Sequence, residues 1–160
     1  MKRSITLEYD ERSFEDLNPD QKALLLEARR ASNGAYAPYS RFFVGAALRL
    51  DSGTVVSGSN KENASFPAGT CAERNALNYA SDHHPKDPIQ SMAISAHTDM
   101  FDIREVLSPC GICRQVMTET EQVQGKGFEV ILDGPDEKVW IFEQASHLLP
   151  IHFYLKELKK

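Results

Sequence analysis

The chain holds three cysteines, one in "GTCAERNALNYA" at residues 69–80 and two in "SPCGICRQVM" at residues 108–117. Cys110 and Cys113 are one helical turn apart, so both sulfurs can project from the same end of one helix. Cys71 falls at or near the first turn of another, with Glu73 two positions further on. Free N–H groups and positive dipole ends at helix N-termini stabilise thiolates. Two such ends brought together would make a three-thiolate site, and soft sulfur ligands in a tetrahedral set favour zinc. Three protein ligands leave one coordination position for water, which a nearby glutamate can reach without binding the metal. The chemistry on offer is metal-assisted hydrolysis with Glu73 as its acid–base group.

The same residues allow plainer readings. Cys110-x-x-Cys113 alone fits a redox pair, which leaves Cys71 and Glu73 without a role. One of His83, His84, His97, His147 and His152 could close a structural zinc site, though none sits at a paired ligand spacing. Buried cysteines also serve as small hydrophobes. Thr70-x-x-Glu73 fits a capping box, in which Glu73 serves only its own helix. A zinc ion with three thiolates keeps a net negative charge, so a cation nearby is needed if water is to be acidified. Arg74 and Arg114, each next to a site residue, are candidates to donate hydrogen bonds to the sulfurs.

These residues need elements to hold them. "NPDQKALLLEARRASNGAYAP", residues 18–38, reads as a helix with Asn18 as N-cap, Pro19 in the first turn and Asn33-Gly34 as the stop. "FFVGAALRL" and "TVVSGSN" flank Asp51-Ser52-Gly53 as a hairpin. "KENASFPAG" carries turn residues without a period and reads as a loop. A cysteine-bearing helix follows over 71–83, then the strand "SMAISAHT", then a second such helix from Ser108 to about Glu121. "FEVILD" and "KVWIFE" are two further strands turning at Asp133-Gly134-Pro135-Asp136, and the last part of 146–160 is helical by composition. Five strands with helices between them make a layered α/β domain.

At 160 residues the chain fits one domain with a real core, and 41% hydrophobic with 26% charged residues is ordinary for a globular protein. A net charge of −5 and a longest basic run of Lys159-Lys160 argue against a polynucleotide partner. No run approaches the ~20 apolar residues that cross a bilayer, and the basic start has no apolar stretch behind it, so neither signal peptide nor anchor is expected. An odd number of cysteines predicts reduced thiols and a cytoplasmic address.

Four stretches resemble the small homotetrameric, all-cysteine cytidine deaminases: "AYAPYSRFFVGAAL" at 35–48, "GSNKENASFPAGTCAER" at 58–74, "PCGICRQVM" at 109–117 and "LLPIHF" at 148–153. The resemblance implies a three-layer α-β-α sandwich around a mixed five-stranded sheet, with residues 1–17 as an N-terminal extension and 18–160 as a single catalytic domain. It implies zinc on Cys71, Cys110 and Cys113, Glu73 as proton shuttle and Arg74 tuning the thiolates. It further implies a substrate site in which Asn60 and Glu62 read the ribose 3′-hydroxyl, Ala64 meets the pyrimidine edge and Phe42 packs on the base. Phe66 stands where tyrosine is common and Phe43 where proline is common. Phe66 and Phe153 are implied to serve a neighbouring subunit's pocket. The implied reaction is hydrolytic deamination of cytidine and 2′-deoxycytidine to the uridines and ammonia, a pyrimidine salvage step. Another aminopyrimidine nucleoside as substrate, a zinc-stabilised binding module and polynucleotide editing are the competing readings. The acidic charge speaks against the last, and Glu73 with an open coordination position against the second.

Overall fold

Asn18 and Gln21 cap each other at the start of α1 (Pro19–Ser32): Asn18 Oδ1 accepts from the Gln21 amide at 2.9 Å, and Gln21 Oε1 from the Asn18 amide at 3.2 Å. In the computed structural model, which describes residues 1–154, this helix buries a stripe of Gln21, Leu24, Leu25, Ala28 and Ser32 at helical spacing. Two further helices follow, α2 (Ala72–His83) and α3 (Gly111–Gln124). Residues 155–160, where the terminal helix is expected, lie outside the described residues.

The sheet is mixed. Its strands are β1 (Asp10–Ser13), β2 (Phe42–Leu50), β3 (Val55–Ser59), β4 (Ile89–Thr98), β5 (Glu129–Asp133) and β6 (Lys138–Phe142), in the order β1-β6-β5-β4-β2-β3. Only β4 and β5 pair in parallel, joined over the sheet by α3. The five expected strands are present, but the sheet is six-stranded. The addition comes from the segment before residue 18, where Asp10–Ser13 pairs antiparallel with β6. All four residues are exposed, so no apolar alternation marks them as a strand. Long-range contacts decide the matter: Tyr9 packs tilted against Trp140 at 4.7 Å and stacks on Phe142 at 5.3 Å, and the Trp140 indole donates to Glu11 at 2.8 Å.

Alternation along the central strands feeds two cores. Ala47, Ala93, Ile131, Val139 and Ile141 face α1 and Leu17, while Ala46, Leu48, Met92, Ile94, Val130 and Leu132 face the side of α2 and α3. Burying such side chains contributes about 1.5–3 kcal/mol each before chain entropy is counted. Two glycines set how closely the layers approach. A Cβ at Gly45 would stand 2.0 Å from the Ala28 carbonyl oxygen of α1, and one at Gly58 would stand 2.7 Å from the Ala76 nitrogen of α2. Both helices therefore sit with their backbones directly on the sheet.

The segment between β3 and α2 has no period but is pinned. Lys61 exchanges backbone hydrogen bonds with Thr70, and Tyr36 bonds to Asn60 and Glu62 on the other side. A loop read from composition is thereby held between α1's exit and α2's entry, and it delivers Cys71.

Candidate metal and active site

Cys71 is the N-cap of α2 and Cys110 the N-cap of α3, and neither side chain makes a capping hydrogen bond. The two helix N-termini converge, so Cys71 Sγ lies 4.0 Å from Cys110 Sγ, and Cys110 Sγ lies 3.5 Å from Cys113 Sγ. All three sulfurs fall within 4.8 Å of one another, the one metal-capable cluster among the described residues. A tetrahedral zinc ion bound at ~2.3 Å would hold neighbouring sulfurs about 3.8 Å apart, and the observed distances bracket that value. The donor set fits zinc. The chain's cysteines are free thiols, as a metal site requires and a disulfide framework does not. Hydrogen bonding from Cys113, with help from Cys110 and Arg74, brings the Cys71 thiol down to about 5. The same pairing, reinforced by burial, holds Cys113 up.

Glu73 is 4% exposed and lines a cavity of about 300 Å³ together with Cys71 and Cys110, a volume at the small end of ligand sites. Burial raises its pKa above the ordinary carboxylate value, the neighbouring Cys71 adds to this, and hydrogen bonding to its own amide and to Cys113 opposes it. The capping-box alternative does not form: Cys71, not Thr70, is the N-cap, and no side chain caps the helix. The two arginines separate. Arg74 donates to the Gly69 carbonyl at 3.1 Å, lowers the Cys71 thiol and leaves a buried Nε without a protein partner. Arg114 instead donates to the carbonyls of Pro109 at 2.7 Å and Leu148 at 3.0 Å, tying the C-terminal segment to the start of α3. Its charge is spent on backbone oxygens and not on the thiols.

The expected substrate residues divide in the same way. Phe42, Asn60 and Glu62 line the cavity with Glu73. Phe42 opens β2 and stacks on Phe101 at 6.3 Å. The Asn60 carboxamide bridges the β2 backbone, accepting from the Val44 amide at 2.8 Å and donating to the Phe42 carbonyl at 2.9 Å. One N–H and one lone pair remain to it. The Glu62 carboxylate accepts from the Ser40 hydroxyl and the Tyr39 amide, and the Ser40 bond leads in holding its pKa below the usual value. Phe66 sits apart, 74% exposed on a second cavity of about 540 Å³, edge-on to Tyr39. Ala64 is exposed and Phe153 is 71% exposed, and neither lines either cavity.

Sequence reasoning missed Ser40, Val44, Ser95 and Asp133, all of which line the first cavity. "YSRF" and the strand pattern placed Ser40 and Val44 beside Phe42. Ser95 and Asp133 meet only through the parallel register of β4 and β5, which a single sequence does not display.

The model of the "cytidine and deoxycytidylate deaminase zinc-binding region" matches residues 18–124. The chain is 39% identical to the cytidine deaminase of Halalkalibacterium halodurans over 139 residues, 87% of this chain and 98% of that protein. It is 35% identical to that of Mycobacterium tuberculosis over 141 residues, 88% and 95% of the two chains. Among solved structures, the cytidine deaminase of Burkholderia pseudomallei superposes with a TM-score of 0.69 at 38% identity, covering 82% of this chain and 97% of that one. The Mycobacterium tuberculosis structure gives 0.64 at 33%, covering 86% and 100%. With three thiols and a buried glutamate at the meeting point of two helix N-termini, the chain belongs to the zinc-dependent cytidine and deoxycytidylate deaminase family.

Proposed function

We propose that this protein is a zinc-dependent hydrolase converting cytidine and 2′-deoxycytidine to uridine and 2′-deoxyuridine with release of ammonia. One observation carries the reading: the buried carboxyl group of Glu73 shares its cavity with thiols that can hold a metal. Relatives named cytidine deaminase over nearly their whole length support it. Zinc held by Cys71, Cys110 and Cys113 would supply the Lewis acidity that makes a water nucleophilic near neutral pH. The Glu73 carboxylate would take one proton of the attacking water and hand it to N3 of the pyrimidine as the C4–O bond forms. It would then take the second from the new C4 hydroxyl and pass it to the amino group, which leaves as ammonia as the C4–N bond breaks and the C4 carbonyl forms. Its burial suits the task, since a carboxyl with a raised pKa is a better proton donor and acceptor near neutrality. The positive Arg74 offsets thiolate charge.

Phe42 packs on the base, and Asn60 and Glu62 turn their remaining hydrogen-bonding capacity to the ribose 3′-hydroxyl. Ala64, Phe66 and Phe153 lie outside the chain's own first cavity and stand exposed. For Phe66 and Phe153 this supports a homotetramer in which they complete a neighbour's site. Light scattering that showed an active monomer would remove that part. Residues 1–17 are taken as an extension and 18–160 as the catalytic domain, acting in pyrimidine salvage in the reducing cytoplasm, where the thiols stay available for metal. No helix among the described residues is long and apolar enough to cross a membrane. Ultraviolet detection of uridine formed from cytidine by zinc-loaded protein is the direct test. Cytidine binding without turnover would leave a binding module in place of the enzyme.

A further inference from the structure

One ion pair of the molecule borders the cavity without belonging to the metal machinery. Asp133, the last residue of β5, lines the first cavity, and its side chain is 11% exposed. The Arg29 guanidinium grips both of its oxygens, Nε to Oδ2 and Nη2 to Oδ1, each at 2.8 Å. Ser95 Oγ donates to Oδ2 at 2.7 Å and lines the same cavity. The parallel register Ile94↔Leu132 brings the two residues side by side, Asp133 at the end of β5 and Ser95 within β4. Behind them, the Arg29 guanidinium lies over the Phe14 ring at 4.7 Å, and its Nη2 also reaches Glu137 at 3.1 Å. Phe14 and Asp133 both fall outside the stretch 18–124 that the family model matches.

A two-pronged guanidinium–carboxylate contact is specific in direction as well as strong, so it fixes what it holds. Most such pairs merely tie elements together, and Arg29 does join α1 to β5. This pair does more, because its carboxylate and the serine it orients form part of the cavity wall. With its proton given to Asp133, the Ser95 hydroxyl keeps only acceptor capacity. Opposite stands β2, whose Val44 pairs with Ala96.

We propose that Asp133 is a positioning residue for the bound nucleoside, fixing Ser95 and the Ile94–Ala96 end of β4 as one wall of the pocket, with Arg29 and Phe14 of the N-terminal segment bracing it from behind. The inference rests on the nucleoside reading of the cavity. It gives the segment before residue 18 a part in substrate binding at a distance.

The test uses the full-length, zinc-loaded protein. Zinc content, kcat and KM for cytidine, and calorimetric Kd for uridine are read for Asp133→Asn, Ser95→Ala, Phe14→Ala, Arg29→Lys and the double variant of positions 14 and 133. For Asp133→Asn, KM and uridine Kd should rise roughly five- to twentyfold, the scale of a lost charged hydrogen-bond partner, while kcat falls no more than about twofold and zinc is retained. Phe14→Ala should raise KM about two- to threefold alone and add nothing to Asp133→Asn, because both act through Arg29. Arg29→Lys should fall between wild type and Asp133→Asn. A KM unchanged in Asp133→Asn, or additive effects at 14 and 133, would overturn the proposal. If Asp133→Asn does not fold, Ser95→Ala decides: a rise in both KM and uridine Kd supports the wall, and wild-type values overturn it. Wild-type protein that neither deaminates cytidine nor binds uridine would sink the nucleoside reading itself. That result is distinct from an active wild type whose Asp133→Asn variant matches it.

Discussion

Helix α1 begins with a reciprocal cap, Asn18 with Gln21, whereas α2 and α3 begin with Cys71 and Cys110 and have no side-chain cap at all. The first helix uses its N-terminal N–H groups for stability. The other two leave theirs open where they meet, and what lies in front of those positive ends is sulfur. Serine, threonine, aspartate and asparagine are the favoured N-caps, and replacing one by a non-capping residue costs about 0.5–2 kcal/mol. Two helices thus forgo a stabilising contact that the chain can plainly make elsewhere, and they do so at the one point among the described residues where a metal can be held. Capped and uncapped starts divide the fold into scaffold and chemistry.

Swapping the two kinds of start should break this contrast most sharply at Cys71. Cys71→Ser supplies the missing cap and removes a ligand, so zinc and turnover should be lost while metal-free protein melts no lower than wild type. Metal analysis and thermal unfolding check this, and retained zinc at full occupancy would show that Cys71 is no ligand. Glu73→Gln should keep zinc and fold but lose ~10²–10⁴ in kcat, the usual worth of a positioned acid–base group. The pH dependence sharpens the same point. Burial raises the Glu73 pKa, so the carboxylate needed to accept a proton is lost at a pH above that of an ordinary glutamate. The acid limb of kcat/KM should accordingly lie above about 4.5, and disappear in Glu73→Gln as the residual rate goes flat. At the scaffold end, Asn18→Ala should cost about 1 kcal/mol in denaturant unfolding and leave turnover per folded molecule as it was. A large loss of activity there would erase the division.

How much of this was legible depended on whether a signal was local. The Asn18 cap, the stop at Asn33 and the turn around Asp51–Gly53 are short-range chemistry, and each element they bound is found. The metal trio was readable from residue type and spacing because sulfur has few other uses at two helix starts. The capping-box alternative at Thr70 fails because such a box can be written on the sequence one residue before the helix actually turns. The choice between Arg74 and Arg114 stayed open because adjacency to Cys113 does not fix direction, and two carbonyls claim the Arg114 guanidinium. Strand β1 and the Arg29–Asp133–Ser95 contacts depend on pairings across the sheet, with sequence separations no local pattern records. Ala64, Phe66 and Phe153 stand exposed, and no contact among the described residues displays the roles expected of them.

Gly58 carries a consequence for how the site tolerates change. The α2 backbone rests on it, with the Ala72 carbonyl oxygen 2.9 Å and the Ala76 nitrogen 2.7 Å from where a methyl group would go. Ala72 is the neighbour of Cys71, so the depth at which the helix is seated is also a setting of the distance between sulfurs on different helices. A single methyl at position 58 would act as a shim, lifting Cys71 away from Cys110 and Cys113 without touching any of the three. Metal grip is thereby calibrated from beneath, by the thickness of a residue that has no side chain.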